Sequence, residues 1–352
     1  MSKYKFVRLV AIGLFAILMV SLIGCSSDEN SVETSSAASE STNKTTHDKE
    51  HDDDKDHAEH DHDKEHDDKD HAESEPEPFP VTVIDALGQE ISFDKAPSRI
   101  ATISPTSTEI VYAAGGTSIL RDRASKYPEL VLSLPDVGSA YNPSVETILS
   151  TRPDLVVIEA LTQARFAGIL GASGLKVLAV KAESFKDVED GISNLGKILN
   201  TESVATKKIK NLNKRLEAIG SEDGRSVLIL VSDEERNLYA ARPESYTGLI
   251  AHTLGMENKA AGLPDSGPFP GFALMNPEAI LVANPDVIIT ITPAPEPAPR
   301  LSATITQIPP FAGLKAIRTN SILEGDVTLF LQAPGPRIVD AVEFLKSGLE
   351  SK

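Results

Sequence analysis

The sequence is poor in the residues that carry redox chemistry and aromatic stacking. Its 352 residues contain one cysteine, Cys25, and no tryptophan. A chain with one cysteine forms no internal disulfide, and beyond residue 25 it offers no thiol nucleophile and no ligand for an iron–sulfur cluster. Positive charge is also scarce, because 34 Lys and Arg oppose 52 Asp and Glu, for a formal net charge of −18. This balance argues against a nucleic acid partner.

Long apolar runs are confined to the N-terminus. Residues 9–23 are almost uninterrupted apolar residues that follow three basic ones, a run shorter than the roughly 20 residues of a membrane span and typical of a secretion signal. The run ends in Leu22-Ile23-Gly24-Cys25, which resembles the lipobox of bacterial lipoproteins. The resemblance implies that residues 1–25 are a lipoprotein signal peptide and that Cys25 carries acyl chains, which anchor firmly when there are several. The alternative is an ordinary signal peptide with a chance cysteine.

Residues 26–78 contain almost no apolar side chain larger than alanine. Between residues 47 and 73, fourteen Asp or Glu oppose four Lys, and a Pro-Glu-Pro sequence ends the segment. Such a stretch cannot bury enough surface to offset its ordering entropy, so we predict a disordered tether. As a flexible coil it would reach about 40 Å, enough to lift a folded body off a membrane.

Most of the histidines lie in this tether. Seven of the eight fall there, namely His47, His51, His57, His60, His62, His66 and His71. Imidazole and carboxylate together suit zinc, nickel, cobalt or copper, and many of these imidazoles are neutral at neutral pH. Two hypotheses remain open for the tract, a solvated acidic spacer and a weak collector of metals such as zinc or nickel.

The remaining residues, from 79 onward, alternate short apolar runs with helix-like stretches. A β-hairpin is predicted over 81–84 and 89–93 around a Gly-containing turn. Strands are predicted at 100–103, 155–158, 177–180, 227–231, 287–291 and 327–331, and helices at 107–114, 145–150, 185–199, 203–219, 246–254 and 336–347. Strands that alternate with helices are typical of parallel α/β sheets.

One sequence pattern occurs in both halves of this body. Asn142-Pro143 precedes Glu146, and a Pro-Asp pair follows that Glu by seven residues. Asn276-Pro277 likewise precedes Glu278, and again a Pro-Asp pair follows the Glu by seven residues. Each Asn-Pro is predicted to open a helix, with Asn as its cap and Pro in its first turn. The spacing from Asn-Pro to Glu differs, so the two stretches are predicted to be structurally analogous.

Several motifs of the body together resemble one family. They are Val81-Thr-Val-Ile-Asp-Ala-Leu-Gly88, Arg99-Ile-Ala-Thr-Ile-Ser-Pro105 with Thr108-Glu109, Pro135-Asp-Val-Gly138 and the two Pro-Asp strands. These resemble the substrate-binding proteins of ATP-driven importers for ferric siderophores, haem and cobalamin, of the class whose hinge is a single helix. The resemblance implies two Rossmann-like lobes, at 79–200 and 223–352, with a linking helix at 201–222 and a ligand in the cleft between the lobes.

Ligands of parallel α/β lobes meet the loops at the carboxyl ends of strands. A metal chelate needs flat apolar or aromatic walls and a few polar anchors. The candidate ligand residues are therefore Ser104, Pro105, Thr106, Tyr141, Asn142, Arg242, Tyr246, Phe269, Phe272 and Phe330. Arg242 is the candidate partner of a ligand carboxylate or phosphate. The absence of tryptophan removes one residue that commonly stacks on cobalamin. For each aromatic residue, ordinary packing is the alternative.

The resemblance also implies a membrane partner. In this family one acidic residue on each lobe docks an arginine of the permease dimer, and Glu146 and Glu278 are the candidates. The alternative is that each glutamate only complements its helix dipole. We therefore expect a monomeric, lipid-anchored receptor outside the cytoplasm that binds a metal chelate, has no cofactor and catalyses no reaction.

Two other functions are alternatives to a chelate receptor. A receptor for free metal ions of the zinc type would have to use the histidine tract, because the body itself has one histidine. An exported hydrolase is the more remote alternative, since no Gly-x-Ser-x-Gly motif is present.

Overall fold

The structure is a computed structural model that describes residues 78–221 and 223–351, all within one compact unit. The predicted signal peptide, Cys25 and the histidine tract lie outside the described residues.

The N-terminal lobe is built on a parallel sheet. Its strands are β1 (Val81–Ile84), β2 (Glu90–Phe93), β3 (Ile100–Thr102), β4 (Gly138–Ser139), β5 (Asn142–Pro143), β6 (Leu155–Glu159) and β7 (Lys176–Val180). Its helices are α1 (Pro105–Ala113), α2 (Val145–Ser150), α3 (Ala160–Ala172) and α4 (Phe185–Leu199), with a 3-10 turn at Glu129–Ser133. The sheet order is β3-β6-β7, and β6 in its centre is buried on both faces. The β1–β2 hairpin covers the β7 edge, where the Ala86 amide donates to the Ala179 carbonyl at 3.0 Å.

Helix α5 (Glu202–Ile219) joins the two lobes. At 1.5 Å per residue its 18 residues span about 27 Å. Asn213 donates to Glu189 of α4 at 2.6 Å, while Arg215 pairs with Asp340 and Glu343 further along the chain. The linking helix is therefore tied to both lobes by side-chain contacts.

The C-terminal lobe has a mixed sheet. Its strands are β8 (Ser226–Ser232), β9 (Leu238–Ala241), β10 (Glu257–Asn258), β11 (Phe272–Met275), β12 (Val287–Ile291) and β13 (Ile322–Gly325). Its helices are α6 (Tyr246–Thr253), α7 (Pro277–Ala283), α8 (Leu301–Ile305), α9 (Lys315–Arg318) and α10 (Ile338–Glu350). Strands β10, β8, β12 and β13 are parallel, whereas β9 and β11 complete the sheet in the antiparallel sense. Helix α10 packs on α5 and α6.

The aspartate of each Pro-Asp pair ties two neighbouring strands together at their starts. Asp154, one residue before β6, accepts hydrogen bonds from the Ser98 amide at 2.8 Å and the Ser98 hydroxyl at 3.0 Å. Asp286, one residue before β12, accepts from the Ser226 amide at 2.8 Å and its hydroxyl at 2.7 Å, and it pairs with Lys315. The Pro-Asp pair found in both halves of the sequence therefore makes the same hydrogen-bonded contact between strands in both lobes.

Two predictions about local structure are wrong. Residues 327–331 are not a strand, because Thr328–Gln332 form a buried π-helical turn, and the edge strand of the sheet is β13 instead. Asn142-Pro143 does not open a helix, because both residues pair with β4 and Ser144 caps α2, accepting from the Thr147 amide at 3.2 Å. In the second half the prediction is confirmed, since Asn276 caps α7 and accepts from the Ala279 amide at 2.8 Å.

None of the helices in the described ranges 78–221 and 223–351 is long and apolar enough to cross a bilayer.

Candidate ligand-binding cleft

The carboxyl edge of the N-terminal sheet is held together by one buried amide side chain. Gln163 of α3 donates from Nε2 to the Ile103 carbonyl at 2.6 Å and to the Ala140 carbonyl at 2.7 Å. Its Oε1 accepts from the Glu159 amide at 2.9 Å. Three loops that follow different strands are thereby fixed relative to one another, so this edge is preorganised.

The first group of predicted ligand residues is buried. Ser104, Pro105 and Thr106 begin α1, and the Ser104 hydroxyl accepts from the Ser107 amide at 3.1 Å in a capping box. Capping satisfies an orphan donor of the first turn, so these side chains stabilise the helix start. Their burial is at odds with the predicted ligand contact.

A chain of buried hydroxyl groups lies behind this helix start. The Thr108 hydroxyl donates to Thr102 at 2.8 Å and lies 3.0 Å from the Ser125 hydroxyl, which in turn donates to Asp122. Burial raises the pKa of Asp122, although the Ser125 hydroxyl and the Ala124 amide donate to it. The network joins α1 to β3 and to the loop that follows α1, and its polar groups are satisfied within the lobe.

Large side chains at this edge remain exposed. The Tyr141 side chain, between β4 and β5, is 62% exposed, and Asn142 beside it is exposed too. The Arg165 guanidinium donates to the Tyr141 carbonyl, which fixes the backbone and leaves the ring free. Leu161, in the first turn of α3, is 61% exposed, and Tyr127 is 49% exposed. Of the predicted residues of this lobe, Tyr141 and Asn142 are thus accessible to a ligand.

Arg242 lies at the end of β9 in the C-terminal lobe. Its guanidinium is 3.2 Å from Glu244 and 3.8 Å from Asp265, and its buried Nε has no hydrogen-bond partner among the described residues. A Cβ added at Gly248 would lie 2.0 Å from the Arg242 carbonyl oxygen, so the start of α6 requires glycine there. The arginine is held in place while part of its hydrogen-bonding capacity stays free.

Tyr246 opens α6 beside this arginine. Its hydroxyl donates to the Leu329 carbonyl at 3.0 Å. Burial raises the pKa of Tyr246 strongly, and the negative charge of Glu109 adds to the effect. The phenol therefore stays neutral, and it lies near a carboxylate that belongs to the other lobe.

The predicted phenylalanines form two packed groups. Phe269 is half-buried, and its ring centroid lies 5.6 Å from that of Tyr239 and 6.0 Å from that of Phe272. Phe272 is 2% exposed on β11, and Phe330 is fully buried against Phe344 at 5.8 Å. Phe272 and Phe330 are therefore packed in the core of this lobe, and their role as cleft walls stays a prediction.

The two lobes touch through an ion pair. Arg337, the residue before α10, donates from Nε to Glu109 Oε1 and Oε2 at 3.0 Å each, and from Nη2 to Oε1 at 2.5 Å. The Arg337 Cζ atom lies 4.5 Å from the centroid of the Tyr127 ring. Both partners of the arginine belong to the N-terminal lobe, since Glu109 lies in α1 and Tyr127 in the loop that follows α1. The contact therefore joins the start of α10 to the other lobe.

Glu146 and Glu278 occupy the same place in their helices. Each is the second residue of a short helix, α2 or α7, and each is exposed. The fourth residue of both helices, Ile148 or Ile280, is fully buried. Because each helix runs back to the start of the strand that follows it, its first turn lies at the carboxyl edge of the sheet. One carboxylate per lobe therefore lies at this edge, and neither has an ion-pair partner among residues 78–221 and 223–351.

Two surface cavities are lined by other residues. One of about 360 Å³ lies between the hairpin turn at Asp85 and the α4 face at Asp187. The other, of about 430 Å³, lies beyond the end of α5 near Arg225 and Lys346. Within the described ranges 78–221 and 223–351 there is no group of three or more His, Cys, Asp or Glu placed to hold a metal ion.

The family model described as periplasmic binding protein matches residues 100–327, which span both sheets and the linking helix. The chain belongs to the periplasmic binding protein family. This periplasmic binding protein is 28% identical over 291 residues to an ABC transporter substrate-binding lipoprotein of Bacillus subtilis, YvrC, described as uncharacterized. The alignment covers 79% of this chain and 88% of the relative.

Two further proteins are similar to this periplasmic binding protein. A protein of Halobacterium salinarum named as cobalamin-binding is 24% identical over 273 residues, which cover 74% of this chain and 72% of the relative. The solved petrobactin-binding protein YclQ of Bacillus subtilis superposes with a TM-score of 0.68 at 17% identity, over 78% of this chain and all of that chain. At this identity the superposition shows the fold, two α/β lobes of the periplasmic binding type.

Three residues of the cleft were not among the predicted ligand residues. Tyr127 has no sequence signal, since an exposed aromatic side chain in a loop has no pattern of its own. Leu161 has one, because it follows the predicted strand 155–158 at its carboxyl end. Arg337 has a sequence signal, because it lies at the N-terminus of a helix, where a positive charge is unfavourable for the helix dipole. Its presence there indicates a specific partner elsewhere in the chain.

Proposed function

We propose that this periplasmic binding protein captures a metal chelate, a ferric siderophore, haem or cobalamin, and delivers it to the permease dimer of an ABC importer. The observation that carries the proposal is the direct contact of the two lobes at Glu109–Arg337. The N-terminal lobe exposes two tyrosines, and the C-terminal lobe holds Arg242, whose hydrogen bonds are incomplete among the described residues. We further propose that the ligand is delivered unchanged, so that the protein acts as a receptor and not as an enzyme.

The N-terminal edge supplies the apolar part of the site. Tyr127, Tyr141 and Leu161 together expose two aromatic rings and one branched aliphatic chain. Flat rings of this kind suit a large conjugated ligand, because aromatic contacts bury much area at little cost in side-chain entropy. Asn142 beside Tyr141 adds a donor and an acceptor for orientation.

The C-terminal lobe supplies the polar part. Arg242 would exchange its contacts with Glu244 and Asp265 for an acidic group of the ligand. Tyr246 and Phe269 are half-buried beside it and would form the rim. The site would then be asymmetric, with an apolar wall on one lobe and an anion anchor on the other.

Permease docking would use the two equivalent glutamates. Glu146 and Glu278 are exposed, lie at the second position of their helices and make no ion pair among the described residues. A pair of carboxylates on two lobes fits a permease dimer that presents one arginine per subunit. Because both carboxylates are available within the described ranges, we favour docking over a role in the helix dipole alone.

The membrane anchor belongs to the same proposal. The named Bacillus relative is a lipoprotein, which supports acylation of Cys25 and a place outside the cytoplasm on the cell membrane. The acidic segment of residues 26–78 would then act as the tether, and the free receptor would be a monomer. The histidine tract would add at most weak zinc or nickel binding beside the chelate site.

Absorption titration tests the proposal. The purified chain is titrated with haemin, cyanocobalamin, a ferric catecholate and a ferric hydroxamate, and one of them is expected to bind one-to-one with micromolar or tighter affinity. The control is zinc chloride added to the chain with and without residues 28–78. If no chelate binds while zinc binds equally to both forms, the body is a free-ion receptor and the proposal is wrong.

A further inference from the structure

Arg337 occupies a position that local structure does not favour. It precedes the first residue of α10, where the helix dipole presents its positive end. The Arg337 side chain is only 15% exposed, so its charge is also largely removed from water. An arginine in such a place needs a specific partner, and its partner lies in the other lobe.

The contact with Glu109 has strong directional geometry. Three N–O distances between 2.5 and 3.0 Å join the guanidinium to both carboxylate oxygens. Glu109 is 4% exposed in α1, and 228 residues of chain separate the two partners. A bidentate arginine–carboxylate pair fixes both distance and angle, so α10 of one lobe has a defined place against α1 of the other.

Tyr127 holds the arginine from a second side. The ring lies over the guanidinium at 4.5 Å, within the range of a cation–π contact, and half of the tyrosine is still exposed. Arg337 is thus enclosed by an acidic residue and an aromatic residue of the N-terminal lobe. Any rotation of the lobes that opened the cleft would have to break both contacts at once.

The pair is better suited to placement than to stability. Burial raises the pKa of Glu109 even though Arg337 donates to it, while Asp340, Lys208 and Tyr246 are the other ionisable groups nearby. A buried ion pair of this kind is often no more stabilising than an apolar pair of the same size, because both charges lose their hydration. What an apolar pair cannot reproduce is the fixed geometry.

We propose that Arg337 is a positioning residue that sets the separation of the two lobes across the cleft, and that it fixes the Tyr127 ring as part of the ligand-binding wall. The second half of this statement rests on the proposed function, whereas the first does not. If loss of the contact lowers the population with the correct separation to about a tenth, the apparent affinity for ligand falls about tenfold.

The distance between the lobes can be measured directly. With Cys25→Ser the chain has no thiol, so Ser150→Cys in α2 and Val282→Cys in α7 provide two exposed sites for spin labels, one on each lobe. Double electron–electron resonance is expected to give a narrow distance distribution in this background. Arg337→Lys keeps the positive charge but cannot make the bidentate contact with Glu109, so it should broaden the distance distribution.

Matched variants separate positioning from folding. Arg337→Met alone leaves a buried carboxylate unpaired and is expected to destabilise the protein, so Glu109→Gln/Arg337→Met is the deciding variant. It should unfold at a denaturant concentration close to that of the parent, yet give a broad distribution. The control is Arg225→Met, which removes an arginine–aspartate pair with N–O distances of 2.8 and 2.7 Å inside one lobe and should leave the distribution narrow. A folded double variant with a distribution as narrow as that of the parent overturns the inference.

Ligand titrations complete the test. With whichever of haemin, cyanocobalamin or the ferric siderophores binds the parent, the double variant should bind about tenfold more weakly, and saturation should restore the narrow distribution. Tyr127→Leu should weaken binding, and Tyr127→Phe, which keeps the ring, should weaken it less. If the parent binds none of these probes, the proposed function fails, but the distance measurements still decide the role of Arg337.

Discussion

The N-terminal lobe exposes large apolar side chains at the carboxyl edge of its sheet, whereas the C-terminal lobe keeps its aromatic residues packed and presents charge. Tyr127, Tyr141 and Leu161 are about half exposed or more on the first lobe. On the second, Phe272 and Phe330 are buried and Arg242 is flanked by two carboxylates. Both edges belong to sheets anchored by the same Pro-Asp device. A shared scaffold therefore carries two chemically different surfaces, which suits a ligand with one apolar and one polar side.

The two lobes should be most alike at Glu146 and Glu278, the glutamates proposed for docking, and the loss of these residues should have the largest effect. Glu146→Gln and Glu278→Gln are each expected to lower uptake about tenfold, and the double variant about a hundredfold, because each variant removes one charged contact with the permease. The measurement is uptake of the labelled chelate by cells. Ligand affinity of the purified variants should stay unchanged, and a loss of affinity would instead place these residues in the cleft.

Asp154 and Asp286, which each join two neighbouring strands, should contribute different amounts to the stability of the protein. Asp286→Asn is expected to lower the free energy of unfolding by about 2 kcal/mol, and Asp154→Asn by about 1 kcal/mol, because Asp154 is more exposed and lacks an ion pair with lysine. Urea denaturation of both variants checks the order. Equal losses of unfolding free energy in the two variants would show that the ion pair of Lys315 with Asp286 adds no stability.

The hydrogen bonds of these two aspartates also predict that the stability of the protein depends on pH. The hydrogen bonds from Lys315 and Ser226 hold the pKa of Asp286 well below its ordinary value. Partial burial opposes the same shift at Asp154, but hydrogen bonds from Ser98 and Arg99 outweigh it and lower that pKa too. A carboxyl whose pKa is depressed on folding stabilises the protein above the unfolded value near 3.9 and loses this contribution as the pH falls through the folded pKa. The stability difference between parent and Asp286→Asn should therefore be constant near neutral pH and shrink below about pH 4.

The N-terminal lobe offers apolar side chains and the C-terminal lobe offers Arg242. Substitutions in the two lobes should therefore lower the affinity for the chelate with a different dependence on salt. Tyr141→Ser should weaken chelate binding about tenfold with little dependence on salt, because the lost contact is apolar. Arg242→Gln should weaken it by a similar factor at low salt and by less at high salt, since the lost contact is ionic. Isothermal titration at two salt concentrations distinguishes them. The same salt dependence for both variants would contradict the asymmetry of the cleft.

The smallest effect is expected outside the lobes. Deletion of residues 28–78 should change chelate affinity by less than about twofold, because the residues proposed for the cleft all lie in the body. The measurement is the same titration with the chelate that binds the full chain. A large loss of affinity would move part of the site into the tether.

Sequence reasoning located the scaffold better than the site. The helices at 145–150 and 185–199 are confirmed residue for residue, because α4 is strongly amphipathic and both helices have a serine cap. The predicted strand at 327–331 is wrong, because five residues rich in apolar side chains are as compatible with a buried helical turn as with a strand. Strand β13 was missed because it is four residues long and half-buried.

The ligand residues were harder to predict for a different reason. Phe272 and Phe330 have the same residue type as a cleft wall, and only the packing shows that they are core. Ser104 was nominated by its place after a strand, but that place also makes it the cap of α1. The Glu109–Arg337 contact joins residues 228 apart, a separation at which one sequence carries no pairing information.

The linking helix has a consequence for the gene. Because α5 is the one described connection between the lobes, each lobe is encoded by a single uninterrupted stretch of sequence. A break in α5 would therefore divide the coding sequence into two open reading frames, each of which specifies a whole sheet and its helices. The two halves can thus be altered, exchanged or supplied as separate polypeptides without interrupting any strand of either sheet.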